Sequence, residues 1–233
     1  MRLNEIIPPV FTKYINRFKS SRPQYFGFNK LDQKLEKYLN FRNGYFVELG
    51  ANDGVTQSNT LYYERYKDWR GILVEPAPHN FLKCRENRSS SSFVFCNACT
   101  SFDYKEKFVE ISYSNLMSTA IGLESDIDNP KGHAEKGKIH LQGPEENFTF
   151  GAVARPLNDL LIEAHAPAMM DFLSLDVEGA EIEVLKGIDH ERFRFRFLCI
   201  ESRSNEYLQY YLKSRGYKFL EMLSTHDYIY CIE

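Results

Sequence analysis

Four apolar runs in this 233-residue chain end in carboxylates. Tyr45-Phe46-Val47 leads into Glu48, Gly71–Val74 into Glu75, Phe172–Leu175 into Asp176, and Phe197–Ile200 into Glu201. Asn97 follows a further run, Phe93–Cys96. Solvent explains any one acidic strand end. Four together are hard to place in a core, because unpaired buried charge is costly. They point to a site where acids meet a positive charge, hydroxyl donors or a metal. Asp176-Val177-Glu178-Gly179-Ala180-Glu181 adds two more acids, and strand alternation puts Asp176 and Glu178 on one side. Such a group can act as a general base or hold a hard cation such as Mg²⁺. Its candidate metal ligands are Asp176 and Glu178 with either Glu181 or Glu201. Magnesium is the minority reading, since the helix dipole alone favours Glu178 and Glu181 in a first turn.

Glu48 opens a second feature, Glu48-Leu-Gly50-Ala-Asn52-Asp53-Gly54, between a strand-like run and the helix start near Ser58, Asn59 and Leu61. Strand, glycine turn and helix is how α/β proteins bring backbone N–H groups to a nucleotide-like ligand. A dinucleotide fingerprint needs G-x-G-x-x-G, and here Asn52 fills the middle place. A carboxylate at Glu48 would repel a pyrophosphate and suit an ammonium. The sign of the charge therefore favours S-adenosylmethionine, which carries two cationic centres and no phosphate, over NAD. Glu75 stands 21 positions after Gly54 at the end of the next strand, where an acid accepts hydrogen bonds from ribose hydroxyls. Pro76 redirects the chain beside it.

These residues need elements to carry them. Leu31, Leu35, Tyr38 and Leu39 have helical spacing, so a helix covers about 30–40. Further helices are expected at about 60–67, to about Arg85, at 157–164, at 179–186 and at 207–215. Strands alternating with helices predict an α/β chain with a doubly wound, mostly parallel sheet. Residues 218–223 and 228–232 form a closing antiparallel pair, and 108–112 pairs with 148–154 as an addition. The polar stretch 122–147, with its glycines and prolines, reads as a long segment without structure of its own and as a lid-like insertion. Two regions follow: an N-terminal arm and helix over 1–40, and a single domain over 41–233.

A net charge of −3 argues against broad electrostatic binding of nucleic acid. No apolar run reaches the ~18 residues of a membrane span, and the N-terminus lacks a secretory h-region. The basic patch from Lys13 to Lys19 reads as a solvated face. Five cysteines, an odd number with four of them in or beside predicted elements, suggest reduced thiols and a cytoplasmic protein. Cys96 and Cys99 have C-x-x-C spacing without the second pair a zinc site needs, and read as buried thiols.

FVELGANDGVTQSNT, ILVEPAPHNF, Asn97-Ala98 and DFLSLDVEGAEIEVLKGI, in that order over about 45–201, resemble the successive motifs of FkbM-like methyltransferases. The resemblance implies a class I methyltransferase (Rossmann-like) fold, S-adenosylmethionine as cofactor, and O-methylation of a hydroxyl on a small polar acceptor such as a sugar or glycan. By position it implies that Glu48, Gly50, Asn52 and Gly54 hold the cofactor's amino-acid part, with Asp53, Asn59 and Pro76 beside them. Glu75 would take the ribose, Asn97 and Ala98 would border the adenine, and Asp176 would face the transfer centre. Asp176 is the first choice for base or acceptor orientation, followed by Glu201 and the loop histidines His133 and His140. Two rivals are a dinucleotide-dependent oxidoreductase and a non-catalytic module of a glycan-assembly complex.

Overall fold

The computed structural model describes residues 23–233. The N-terminal arm up to Ser21-Arg22, including the Lys13–Lys19 patch, lies outside the described residues.

The strands in chain order are β1 (Tyr45–Leu49), β2 (Arg70–Val74), β3 (Phe93–Phe95), β4 (Ala98–Thr100), β5 (Phe108–Tyr113), β6 (Thr119–Ile121), β7 (Phe148–Pro156), β8 (Met169–Leu175), β9 (Arg194–Glu201), β10 (Tyr217–Met222) and β11 (Asp227–Ile232). The α-helices are α1 (Leu31–Leu39), α2 (Leu61–Lys67), α3 (Pro78–Asn87), α4 (Pro130–Lys136), α5 (Leu157–Glu163), α6 (Glu181–Leu185) and α7 (Asn205–Lys213). Among the described residues a seven-stranded sheet runs in the order β3-β2-β1-β8-β9-β11-β10. Its β3-β2-β1-β8-β9 pairings are parallel, and β11 runs against both of its neighbours. This is the expected doubly wound, mostly parallel sheet. The closing pair has a definite sense: β11 alone is reversed, so β10 runs with the parallel set.

Both faces of the sheet are apolar because both are covered. Val47, Leu173 and Leu198 pack under α5, α6 and α7 with Leu160, Leu161, Val184, Leu185, Leu208 and Leu212. Their strand neighbours Phe46, Phe172 and Cys199 turn to the other face, with Leu35 and Leu39 of α1 and Tyr63 and Trp69. Alternate side chains thus feed opposite cores, the condition under which a parallel sheet is built from near-continuous apolar runs.

A second, four-stranded sheet in the order β4-β7-β5-β6 grows from the edge of the fold. The expected pairing of 108–112 with 148–154 is its antiparallel centre, from Phe108 opposite Val153 to Tyr113 opposite Phe148. The 122–147 segment departs from its reading as structureless. Asn129 accepts a hydrogen bond from the Gly132 N–H at 3.0 Å and Pro130 occupies the first turn, which starts α4. Ala134 of that helix is fully buried. Asp126 accepts hydrogen bonds from Ser202 Oγ and the backbone of Arg203 and Ser204, tying the segment to the loop after β9. The five cysteines are free. No helix among the described residues is long and apolar enough to cross a membrane.

Candidate active site

The ends of β1, β2, β8 and β9 converge on a cavity of about 300 Å³. This is the carboxyl edge of the parallel sheet, where open α/β folds take ligands. Gly50 makes the convergence possible. It sits at φ +77, and a Cβ there would lie 1.9 Å from the Asp176 carbonyl oxygen, so any side chain would push β1 away from β8.

Of the residues singled out by sequence, Gly50, Asn52, Asn59, Glu75, Pro76, Asn97, Ala98, Asp176, Glu178, Glu201 and the loop histidine His140 line this cavity. Glu75 is buried, and its two oxygens accept the N–H groups of Asn52 and Ala77 at 2.9 Å each. Burial pushes its carboxyl up to about 7 against the opposing pull of those two N–H groups. The carboxylate therefore stitches the glycine turn to the β2 end while still bordering the cavity.

Asp176, Glu178 and Glu201 bring carboxylate oxygens within 4.8 Å of one another. Asp176 is open to the cavity yet ringed by protein on every other side. Burial, then the Glu201 and Glu178 charges, hold its carboxyl well above the ordinary range. Burial also raises Glu201. Two carboxyl groups this close share a proton rather than ionise together, and a cation placed beside them reverses that preference. One buried Glu201 oxygen has no hydrogen-bond partner within the protein. Glu178, at φ +54, is held by His133 Nε2 at 2.7 Å and Arg203 at 3.1 Å, and Arg203 also reaches Glu201 at 3.5 Å. Arg203 thus already pairs with two of the three acids that a metal ion would draw on. Glu181 turns away from the cavity and accepts the Val177 and Gly179 N–H groups, capping its own turn. Burial raises its carboxyl to about 8.

Three expected cofactor residues stand behind the cavity wall instead of in it. Glu48 was expected to meet a ligand ammonium. Its carboxylate is instead paired with Arg88 at 3.1 Å and accepts hydrogen bonds from Ser58, Thr60 and the Asn59 N–H. Arg88 is fully buried and also pairs with Glu64 at 3.3 Å. The acid has an internal cation and ties down the Ser58–Thr60 turn. Asp53 caps that turn from the other end, accepting from the Val55 and Thr56 N–H groups. Gly54 faces Arg88 and Cys84, which a Cβ would meet at 2.9 and 3.0 Å.

Sequence reasoning missed the cavity's roof. A 3₁₀ turn, Asn115–Met117, hangs from the second sheet over the glycine turn, and with Ser118 it lines the cavity opposite Asn52. Phe28 and Leu31 close the near side, and His140 and Asp227 border it too. Only the tertiary fold brings these together. The one local signal was His140 in a polar segment.

The donor set fits one kind of ligand. Among the described residues lining the cavity are five acids (Glu75, Asp176, Glu178, Glu201 and Asp227) and no lysine or arginine. A pyrophosphate would find no positive partner there. A cationic ligand with a ribose would find several acceptors.

Several known proteins are similar to this chain. The family model described as "Methyltransferase FkbM domain" matches residues 48–230. "Methyltransferase 1" of Beauveria bassiana is 25% identical over 154 residues, covering 65% of this chain and 61% of that protein's length. The crystal structure of methyltransferase FkbM from Methylobacillus flagellatus aligns with a TM-score of 0.49 at 15% identity, over 95% of this chain and 60% of that one. A SAM-dependent methyltransferase from Thiobacillus denitrificans, solved with S-adenosyl-L-homocysteine, aligns at 0.37 and 8% identity, over 93% and 74% of the two chains.

Proposed function

The chain belongs to the FkbM methyltransferase family, and from that premise we propose that it is an S-adenosylmethionine-dependent O-methyltransferase acting on a hydroxyl of a small polar acceptor, a sugar or glycan. The observation that carries this reading is the acid-lined, phosphate-averse cavity at the sheet's carboxyl edge.

When bound, S-adenosylmethionine supplies a methyl group already activated on a sulfonium. The chain's own residues have three tasks. Glu75, braced by two backbone N–H groups, offers its remaining lone pairs to the ribose hydroxyls, as the acid at this strand end does in dinucleotide folds. Asn97 and Ala98 border the adenine end. Asp176 receives or orients the acceptor hydroxyl from the cavity wall, where it stands with Glu178 and Glu201. Alignment of the acceptor contributes most, up to about 7–11 kcal/mol in well-oriented systems. The 122–147 segment, pinned by Asp126 and by His133 on Glu178, serves as the lid that keeps water out. Its polar composition and the acceptors beneath it suit a hydroxyl-rich acceptor.

The test is methyl transfer from labelled S-adenosylmethionine across nucleotide sugars, free sugars and glycans. Label should appear in a base-stable ether on a sugar hydroxyl, with wild type and not with Asp176→Asn. Label on nitrogen, or on none of these acceptors while another class is methylated, overturns the assignment.

A further inference from the structure

The roof turn and the cofactor turn are joined by a chain of side-chain amides whose orientation is determined at every link. Asn52 lies at φ +47 in the middle of the cofactor turn. Its backbone N–H goes to Glu75 at 2.9 Å, and its side-chain oxygen accepts the Asp53 N–H at 2.7 Å. The Asn52 amide nitrogen therefore points outward, and it donates to Asn115 Oδ1 at 3.0 Å. Asn115, also left-handed at φ +54, donates from its own amide nitrogen to Glu145 Oε2 at 2.8 Å. A carboxylate can only accept, so Glu145 dictates which way the Asn115 amide faces. Glu145 is anchored in turn by the Gln142 N–H at 3.0 Å and by Lys83 at 3.6 Å.

We propose that Asn115 and Glu145 are positioning residues for the cofactor, a latch by which the roof and the end of the 122–147 segment lock Asn52 and, through it, Glu75. The inference rests on the cofactor placement given above. Three stretches far apart in sequence contribute one residue each, and two of them are left-handed asparagines, a residue that takes this conformation readily in turns. Without Asn115, the Asn52 amide nitrogen loses its outward partner, and the side chain keeps only its bond to the Asp53 N–H. Loss of the latch then loosens the ligand's amino-acid and ribose ends together.

The experiment is calorimetric titration of the full chain with S-adenosylhomocysteine, beside ligand-free melting curves. Asn115→Ala should weaken binding about tenfold, the scale of one hydrogen bond in this setting. Glu145→Ala should act in the same direction. Glu145→Gln should restore affinity to near the wild-type value, because its amide oxygen still accepts from Asn115. The double variant should bind no worse than Asn115→Ala. Wild-type affinity in Asn115→Ala, additive effects in the double variant, or a Glu145→Gln as weak as Glu145→Ala would each overturn the latch. If Asn115→Ala fails to fold, the Ala/Gln pair at Glu145 decides alone. Failure of the wild type itself to bind would instead overturn the cofactor placement.

Discussion

Replacing Glu75 with glutamine should weaken binding and make the stability difference from wild type depend on pH, and the structure sets both sizes. Glu75 is buried with its carboxyl raised from the ordinary 4.5 to about 7. An acid with a raised value in the folded state contributes stability that is fully present below 4.5 and is lost as pH rises through about 7. The gap corresponds to about 3 kcal/mol. Glutamine does not ionise, so the wild type should lose about 3 kcal/mol relative to Glu75→Gln between pH 4.5 and 8. At low pH the variant should be the less stable protein, because its amide can accept from only one of the Asn52 and Ala77 N–H groups. The stranded N–H costs about 1–3 kcal/mol. In binding, the variant has one acceptor oxygen where the carboxylate has two. S-adenosylhomocysteine affinity should fall at least about tenfold, and further in Glu75→Ala. Urea unfolding of both proteins at several pH values, with calorimetry at pH 7.5, measures each quantity. A stability difference that stays constant from pH 4.5 to 8, together with unchanged affinity, would refute both the buried ionisation and the ribose contact.

Asp176→Asn should lower kcat about 10²–10⁴-fold while changing S-adenosylhomocysteine affinity less than about threefold, read by single-turnover assay and calorimetry. A kcat equal to the wild type's would remove Asp176 from the chemistry. Arg88→Ala should cost about 3–5 kcal/mol in urea unfolding, because Glu48 and Glu64 are left buried without their cation. A loss under about 1 kcal/mol would mean that the pairs matter little. Methyl transfer should survive EDTA unchanged, since Glu178 is already paired with Arg203 and His133, and Glu201 with Arg203. Inhibition by EDTA that Mg²⁺ reverses would contradict this.

What could be read from the chain alone was whatever short-range pattern controls. Apolar runs and glycine turns located the parallel strands, and acids at strand ends located Glu75, Asp176 and Glu201 on one cavity. Glu48 shows the limit of that logic. Its type and place suit a ligand ammonium, but Arg88 lies 40 positions away and arrives only when α3 packs on the glycine turn. Alternation correctly put Asp176 and Glu178 together, though by another route. The strand ends at Leu175, and a left-handed Glu178 turns its side chain back to the cavity. The roof was illegible because Asn115 is an ordinary turn residue until the second sheet folds over β1. The helix in 122–147 had a local sign, Asn129-Pro130, outweighed by the glycines around it.

The central claim is that acids at the sheet's outlet receive the methyl donor, with its ribose on Glu75 and its sulfur toward Asp176. A crystal structure with S-adenosylhomocysteine tests this directly. Both ribose hydroxyl oxygens should lie within about 2.5–3.0 Å of the Glu75 carboxylate, beneath the Asn115 turn. Ligand bound elsewhere, with Glu75 still engaged only by Asn52 and Ala77, would contradict it.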